Sequence, residues 1–336
     1  MWLRGATLAP HDPFCLGGSA ERASGSATYR AARDDAHMPE WDSEIEVGED
    51  LARTLIARQF SELDVSVLRR LGEGWDNTVW VTVDGVAFRF PRREVAIRGI
   101  EREIAILPKL AHPLPAQIPD ASYPGAVTTE FPWPWFGSPL IVGEEVALAS
   151  LNTDRRGKLA SDLGRFLRVL HGVRSPICES LERDPMSRGD MAARVPRTRL
   201  ALAQVTAIWD GAERATPILD AAEGLTPDAE AVIVHGDLHQ RHVLVSESGG
   251  LAGVIDWGDM CQAPRSADIP LYWSLFDTQA RAAFRVAYGP ITENTLLHAR
   301  VLALFFDATL ALYAHDKGMK QLEEEALRGL NRTLID

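Results

Sequence analysis

Cysteine is scarce in this chain, with three residues among 336. Cys15, Cys178 and Cys261 lie far apart and lack the close spacing of metal ligands, so they predict neither a disulfide framework nor a thiolate metal site. We therefore expect a reducing, cytoplasmic location. The chain also lacks an apolar run of the roughly 18 residues that a membrane helix needs, so we expect no membrane partner.

A net positive charge is also missing. Lys and Arg total 35 residues and Asp and Glu total 47, which gives a formal net charge of −12. Because nucleic-acid binding needs a basic face, this balance argues against nucleic acid as the main partner. An acidic surface suits a cationic small molecule, although the same charge also keeps ordinary proteins soluble.

The chain divides into three parts by composition and periodicity. Residues 1–37 are rich in Gly, Ala, Ser and Arg without a sustained period, and we expect them to form a disordered extension. A periodic segment opens at Met38, which is an alternative natural start. We predict an N-terminal lobe over residues 38–145 and a helical C-terminal lobe over residues 146–336.

A glycine-rich segment lies between two predicted strands of the N-terminal lobe. The strands cover residues 65–68, 78–83 and 86–90, and Asp84-Gly85 predicts a tight turn in which both residues take positive φ. The segment Gly72–Asn77 leads into a strand rather than a helix, and no Gly-Lys-Ser/Thr follows it. It is therefore neither a dinucleotide-binding turn nor a Walker loop. It is typical of a loop that covers nucleotide phosphates from a sheet, as in kinases.

Apolar periodicity predicts the remaining elements. The predicted helices cover residues 48–60, 91–110, 154–173, 191–209, 278–288, 296–313 and 321–334. The further predicted strands cover residues 127–129, 140–142, 231–234, 243–245 and 254–255. The result is a small sheet lobe over a helical lobe.

Two polar clusters in the second lobe each follow a short β-branched run. The first is His-Gly-Asp-Leu-His-Gln-Arg-His over residues 235–242, and the second is Ile-Asp-Trp-Gly over residues 255–258. Phosphoryl transfer to a hydroxyl needs one carboxylate to orient and deprotonate the acceptor and another to hold Mg²⁺ on the phosphates. Asp237 and Asp256 supply the two carboxylates.

These motifs, at this spacing and after a strand-borne glycine pair, resemble the aminoglycoside phosphotransferase family. The resemblance covers residues from about Val65 to the C-terminus. It implies an α+β, two-lobed protein-kinase-like fold, with a small antiparallel-sheet N-lobe over a mainly helical C-lobe. It also implies a kinase that uses ATP or GTP with Mg²⁺ to phosphorylate a hydroxyl of a small molecule, most naturally an aminoglycoside or a macrolide antibiotic.

The resemblance assigns roles within the two clusters. Asp237 is expected to be the catalytic base and Asp256 the principal metal ligand. His235 is expected to brace its loop, and His239 either touches the transferred phosphate or caps a turn. His242 stands where the family commonly has an Asn that binds the second metal, and macrolide kinases resemble this chain in having His there. His242 is expected to be a second metal ligand, with an ordinary hydrogen-bonded histidine as the alternative.

The resemblance also assigns a nucleotide-binding set in the first lobe. Gly72, Gly74 and Asn77 would cover the phosphates. Arg89 stands where kinases place the phosphate-binding lysine of the third strand, and a guanidinium can bind phosphate with two parallel donors. Glu103 is the expected partner of Arg89 on the following helix.

Other functions fit the same residues. The acceptor could be a metabolite such as choline or a sugar. The substitutions at Arg89 and His242 also allow a nucleotide-binding pseudokinase with a regulatory role. In each case we expect a small-molecule ligand and a monomer or weak dimer.

Overall fold

The structure is a computed structural model that describes residues 43–73, 76–174, 176–226 and 230–336. Its first lobe is built on an antiparallel sheet of five strands. The elements of this lobe are α1 (Glu49–Gln59), β1 (Arg69–Glu73), β2 (Asn77–Val81), β3 (Val86–Pro91), α2 (Ile97–Ala111), β4 (Tyr123–Gly125) and β5 (Trp135–Pro139). The order across the sheet is β1-β2-β3-β5-β4, so β3 lies at its centre.

The second lobe is mainly helical. Its elements are β6 (Glu144–Glu145), α3 (Thr153–Gly172), α4 (Pro176–Ser180), α5 (Met191–Gln204), α6 (Thr216–Ala222), β7 (Ala231–Val234), β8 (Val243–Val245), β9 (Leu251–Val254), β10 (Cys261–Pro264), α7 (Leu271–Ser274), α8 (Thr278–Tyr288), α9 (Glu293–Asp316) and α10 (Lys320–Thr333). Strands β6, β8 and β9 form one small sheet, and β7 pairs with β10. The α+β, two-lobed prediction is confirmed. Strand β6 precedes the predicted boundary between residues 145 and 146 but pairs with β8. The boundary itself stays a prediction.

Four helices of the second lobe begin at a side-chain cap. Asn152, Asp190, Asp277 and Thr292 each accept a hydrogen bond from a backbone N–H two or three residues further on. These caps satisfy amide groups that a helix start leaves without an intrahelical partner. Helices α3, α5, α8 and α9 accordingly begin close to their predicted positions.

Helix α9 is the central helix of the second lobe and packs against α5, α6, α7 and α10. By length and composition it is the one described helix that could cross a membrane. However, 72% of its most apolar window is buried inside the protein. Its apolar residues therefore serve the core of the lobe.

The predicted first strand was wrong in position. Residues 65–68 form no strand, Val67 is exposed, and β1 begins at Arg69. Its register is set by pairing with β2, in which Arg70 faces Trp80. Because β1 is an edge strand, where charged side chains are common, an apolar run is a poor guide to its position.

The strands predicted over residues 127–129 and 140–142 were also wrong. Residues 127–129 lie in a loop in which the Thr128 N–H donates to the Phe131 carbonyl at 2.9 Å. The strand of this region, β5, lies instead in the stretch rich in proline and aromatic residues. Trp135 is fully buried there and Phe136 pairs with Arg89 of β3. Tertiary burial of these rings outweighs the low strand propensity of the neighbouring prolines.

The turn between β2 and β3 needs one positive φ rather than two. Gly85 has φ +76°, whereas Asp84 is not among the residues with positive φ. The Gly85 N–H donates to the Thr82 carbonyl at 3.1 Å, and the Thr82 N–H donates to the Val86 carbonyl at 3.0 Å. This is a hairpin with a three-residue loop, residues 83–85, that ends with glycine in the left-handed position.

The sequence did not predict six short elements, α4, α6, α7, β4, β6 and β10. They contain between two and seven residues. Such lengths cover two helical turns or fewer, which is too short for apolar periodicity to distinguish a helix from a strand or a loop.

Gly137 lies in β5 with its Cα against the ring of Phe88, and a Cβ there would overlap the ring. We expect Gly137→Ala to lower the free energy of unfolding by about 1–3 kcal/mol, because Phe88 is fully buried and cannot move away. Urea unfolding measures the change. The control is Gly157→Ala in α3, where nothing lies within 4 Å of the added Cβ. It should stabilise the helix by up to about 1 kcal/mol. Equal effects of the two variants would contradict the packing argument.

Candidate active site

Two loops of the second lobe carry the predicted motifs. The first polar loop (residues 235–242) joins β7 to β8, and the second polar loop (residues 255–260) joins β9 to β10. Strands β8 and β9 are antiparallel neighbours, with Val243 paired to Val254, so the end of the first loop lies beside the start of the second. This pairing brings Asp237 and Asp256 to the same place.

His242 lies between the two carboxylates. Its Nδ1 lies 2.8 Å from the Asp237 carbonyl oxygen and therefore carries the proton that it donates. The same Nδ1 is 3.5 Å from Asp237 Oδ2, and the opposite ring nitrogen, Nε2, is 3.5 Å from Asp256 Oδ2. Burial, together with neighbouring His239, holds the pKa of His242 well below its usual value. The ring is therefore neutral and directs the lone pair of Nε2 towards Asp256.

Asp256 combines an unusual backbone with a strong ion pair. Its φ is +65°, in the left-handed region that costs a residue with a Cβ on the order of 1 kcal/mol. Its Oδ1 accepts from Arg89 Nη2 at 2.5 Å, while 44% of the side chain stays exposed. Burial of the carboxyl opposes ionisation, but the charge of Arg89 and its hydrogen bond outweigh burial and hold the pKa of Asp256 well below its usual range.

Arg89 is bound on three sides. Besides Asp256, it donates from Nη1 to Glu103 Oε1 at 3.1 Å. With the Asn77 amide oriented to satisfy both of its groups, the Asn77 oxygen accepts from Nη2 at 2.8 Å and from Nε at 3.1 Å. Four of the five guanidinium hydrogens are thus used within the protein. Although burial opposes the charge, the two carboxylates raise the pKa of Arg89 further above its already high value.

Helix α2 is fastened directly to the second polar loop. Glu103 Oε1 accepts from the Trp257 N–H at 3.1 Å, and Arg102 Nη1 donates to the carbonyls of Gly258 and Met260 at 2.8 and 3.0 Å. Glu103 is fully buried, whereas Glu101 is exposed on the other side of the helix. Of these two acidic residues, Glu103 is therefore the partner of Arg89.

Asp268, which is fully buried, holds the start of the first polar loop by hydrogen bonds to its backbone. Its carboxylate accepts from the backbone N–H groups of His235 and Gly236 at 2.7 and 2.9 Å, and His171 Nε2 lies 3.2 Å from Oδ2. Burial opposes ionisation, but these hydrogen bonds and nearby His171 hold the pKa of Asp268 below its usual value. Gly236 has φ +86°, and a Cβ there would lie 2.5 Å from the Asp259 carbonyl oxygen.

His235 joins the two loops and is fully buried. Its Nε2 donates to the Ile255 carbonyl at 2.9 Å, and its Nδ1 accepts from the Asp237 N–H at 3.2 Å. The His235 ring thus fixes the backbone next to Asp237 in the first polar loop and the backbone next to Asp256 in the second. This contact pattern is the bracing position expected for His235.

His239 points inward. It is 4% exposed, its Nε2 lies 3.5 Å from Asp237 Oδ2, and its Nδ1 accepts from the Arg241 N–H at 3.3 Å. Its ring lies 3.9 Å from that of His242, measured between centroids. His239 therefore contacts the Asp237 carboxylate instead of lining an open cleft.

The glycine-rich segment is described in part. Gly72 lies in β1 opposite Val79, and Asn77 begins β2. Gly74 lies outside the described residues. After the segment, Asp76 accepts from Arg93 Nη1 at 3.1 Å, and its carbonyl accepts from the Arg92 N–H at 2.7 Å.

Sequence reasoning missed three residues around the site. Arg102 was overlooked beside Glu103, and Asp259 was overlooked three residues after Asp256. The third is Arg188, which is 3% exposed and pairs with Asp259 at 3.0 Å, its guanidinium carbon 3.5 Å from the Cβ position of Gly236. The proximity of Asp259 to Asp256 in the sequence was a weak indication of its place near the site. The residues around Arg188 contain no motif that predicts its contact with Asp259.

A family model described as APH, the phosphotransferase enzyme family, matches residues 67–300. This range contains both polar loops and helix α2, and it covers more than half of the chain. The chain belongs to this family. The prediction of a phosphotransferase is confirmed at this level.

Solved structures of phosphotransferases share the fold. The GDP complex of wild-type aminoglycoside 2'-phosphotransferase-IIIa is 19% identical with a TM-score of 0.63, covering 86% of this chain and 99% of that one. The GDP and kanamycin complex of APH(2")-IIIa is 19% identical with a TM-score of 0.61, covering 84% and 97%. Macrolide 2'-phosphotransferase MphH from Brachybacterium faecium is 23% identical with a TM-score of 0.55, covering 84% and 97%.

Among curated proteins, the uncharacterized protein YcbJ of Bacillus subtilis (strain 168) is 34% identical over 50 residues. This match spans 15% of the present chain and 16% of the relative. It therefore carries no conclusion about the activity of the whole protein.

Removal of the Arg89 charge should destabilise the protein strongly. Above about pH 7, where Glu103 is ionised, we expect Arg89→Met to lower the free energy of unfolding by about 3–5 kcal/mol, because Glu103 would be left as a buried charge without its partner. Chemical denaturation measures the loss. The matched control is Arg58→Met, which breaks an exposed pair with Glu130 and should cost at most about 1 kcal/mol. A loss at Arg89 no larger than at Arg58 would contradict the assignment of a buried charge cluster.

Glu103 should give the protein a measurable pH dependence. Burial raises the pKa of Glu103 from 4.5 to about 7, and Arg89, which is shared with Asp256, offsets only part of the increase. Between about pH 4.5 and 7 the folded protein thus binds more protons at this site than the unfolded chain does. Its contribution to the free energy of unfolding should therefore fall as pH rises through this window.

The substitution Glu103→Gln should remove this contribution. Urea unfolding across the window should give a flatter or rising profile for the variant than for the original protein. Glu101→Gln, on the exposed side of the same helix, is the control and should keep the original slope. Identical slopes for the Glu103 variant and the original protein would show that Glu103 does not titrate there.

Proposed function

We propose that the protein transfers the γ-phosphate of a nucleoside triphosphate to a hydroxyl group of a small molecule. The observation that carries this proposal is the position of His242, one ring nitrogen facing the Asp237 carboxylate and the other facing Asp256. Two acidic side chains that converge within the width of one imidazole ring match the requirement for an acceptor site beside a metal–phosphate site.

Asp256 and His242 are the residues that would hold a divalent cation. Asp256 Oδ2 and His242 Nε2 are 3.5 Å apart, close to the separation of about 3–3.5 Å expected between two ligands with bonds of about 2.0–2.2 Å to one ion. Such a cation neutralises charge on the transferred phosphate. The lone pair of His242 Nε2 and the carboxylate of Asp256 already face each other without rearrangement. These two residues therefore fit a divalent cation.

Asp237 is assigned as the catalytic base. Its Oδ2 lies 3.5 Å from both His239 and His242, and its backbone is fixed by His235 and Asp268 through the hydrogen bonds of the first polar loop. A carboxylate held in this way can orient an acceptor hydroxyl and accept its proton during in-line attack. We assign His239 to the orientation of Asp237, and a direct contact with phosphate stays a prediction.

The nucleotide phosphates are assigned to the face of the sheet beside Arg89, under the segment that contains Gly72, Gly74 and Asn77. Arg89 retains one N–H outside its contacts with Asn77, Glu103 and Asp256. A phosphate oxygen can accept from this donor while the contact to Glu103 persists. Most of the rate enhancement would come from positioning and charge stabilisation. The neighbouring complexes contain GDP, and the choice between ATP and GTP for this chain stays open.

We propose an antibiotic as the acceptor, either an aminoglycoside or a macrolide, because solved neighbours act on each class. The acidic net charge favours a cationic aminoglycoside, whereas His242 favours a macrolide. A groove of about 410 Å³ lies beside residues 183–190. Two carboxylates line it, but Asp184 accepts from the Gly189 N–H and Asp190 caps α5, so they serve the local fold. A metabolite acceptor and a pseudokinase remain the alternatives, and the cytoplasmic location stays a prediction.

The test is nucleotide consumption measured over panels of aminoglycosides, macrolides and small metabolites, with the phosphorylated product identified by mass spectrometry. We expect transfer to at least one acceptor, and we expect Asp237→Asn and Asp256→Ala each to lower it by at least about a thousandfold while circular dichroism stays unchanged. Asp277→Asn, which alters an acidic helix cap away from the cleft, is the control and should keep transfer. Near-normal transfer by either site variant would refute the mechanism. Nucleotide binding without transfer across all panels would favour the pseudokinase.

A further inference from the structure

The ring of His242 is held in one tautomer by the backbone. Nδ1 donates to the carbonyl of Asp237 at 2.8 Å, so the lone pair is on Nε2 and points towards Asp256 Oδ2 at 3.5 Å. A hydrogen bond from the remote nitrogen to a backbone carbonyl is the arrangement that orients histidine ligands in metal sites. The two oxygens of Asp256 are also divided, because Oδ1 is bound by Arg89 and Oδ2 faces His242. A cation can therefore bind Oδ2 and Nε2 while the Arg89 contact stays intact.

A second set of possible ligands lies beside this pair. Asp237, His239 and His242 have ligand atoms within 4.8 Å of one another. However, His239 Nδ1 accepts from the Arg241 N–H, so Nε2 carries the proton and points it at Asp237. His242 Nδ1 is likewise protonated. A cation within this triad would have to displace both protons, whereas the Asp256–His242 pair offers two lone pairs directly.

From this arrangement we infer that the cation site selects a divalent first-row transition ion, of the Co²⁺ or Zn²⁺ type, over Mg²⁺. The inference rests on the proposed function for the location of the site and goes beyond it in the identity of the ion. Magnesium prefers oxygen ligands, and an imidazole nitrogen is a poor ligand for it. Transition ions bind imidazole well, with affinities that rise from Mn²⁺ towards Cu²⁺. One carboxylate oxygen with one imidazole nitrogen thus favours the softer ion.

The test is direct metal binding to the full-length, nucleotide-free protein. Titration with Co²⁺ should produce visible absorption bands from a site that contains a nitrogen ligand, and Mg²⁺ should displace the ion only at much higher concentration. We expect Co²⁺ to bind at least about tenfold more tightly than Mg²⁺, which corresponds to about 1.4 kcal/mol. The variant His242→Asn should lose the nitrogen-dependent shift of the bands and at least about tenfold of this preference, because it replaces the nitrogen by an amide oxygen.

The matched control is His315→Asn. His315 lies in the last turn of α9, where it is exposed and pairs with Glu323 of α10. It is not part of the candidate site, so the same substitution there should leave both the Co²⁺ spectrum and the preference for Co²⁺ unchanged. Should the His242 variant fold poorly, side-chain ¹⁵N NMR of the original protein gives a second measurement. Addition of Zn²⁺ should shift the Nε2 resonance of His242, identified by its hydrogen-bonded Nδ1.

Equal affinities of the original protein for Co²⁺ and Mg²⁺, or an unchanged preference in the His242 variant, would overturn the inference. So would a zinc-induced shift confined to His239. None of these measurements uses an acceptor or a transferred phosphate. A protein that transfers no phosphate but binds Co²⁺ through His242 would refute the proposed function and leave the metal selectivity intact. A protein that transfers phosphate but does not prefer Co²⁺ over Mg²⁺ would support the proposed function and refute the metal selectivity.

Discussion

The guanidinium group of Arg89 holds together three parts of the chain that the cleft requires. It reaches the start of β2 through Asn77, helix α2 through Glu103 and the second polar loop through Asp256. One cation therefore faces two carboxylates, one fully buried and one half-exposed. Since a buried ionised carboxyl is costly without a partner, the charge of Glu103 depends on Arg89, and the relative position of sheet, helix and loop depends on the same guanidinium.

Arg89 also explains why the two carboxylates behave differently. Asp256 has the shorter contact with Arg89 and is half-exposed, and its pKa falls well below the usual range. Glu103 is deeper and shares the cation, so burial dominates and its pKa rises. An arginine can serve both acids because its donors are spread over a planar fork, which a lysine ammonium does not provide. Arginine in place of lysine at this position thus keeps the positive charge but allows hydrogen bonds to both carboxylates.

The sequence predicted which residues meet at the candidate site better than it predicted some of the elements that carry them. The motifs brought Asp237, Asp256 and Arg89 together, because the two aspartates follow short apolar strands and Arg89 lies in the third strand of the sheet, while the roles of the three residues stay predictions. The choice of Glu103 over Glu101 needed the family pattern, since both flank the apolar stripe of α2. The strands near residues 65–68 and 127–142 were misplaced because their registers depend on partners distant in sequence. Short-range alternation cannot report that dependence.

The sequence indicated that His235 braces its loop, but it could not identify the backbone groups that the bracing side chains contact. Asp268 holds two N–H groups of the first polar loop, His235 ties that loop to Ile255, and Arg102 holds two carbonyls of the second. A backbone group is present at every position, so no residue type marks the site of such a contact in advance. These bonds fix the backbone of the two polar loops that carry Asp237 and Asp256. The residues that could act on a substrate are few and recognisable, and their geometry depends on backbone contacts that no motif marks.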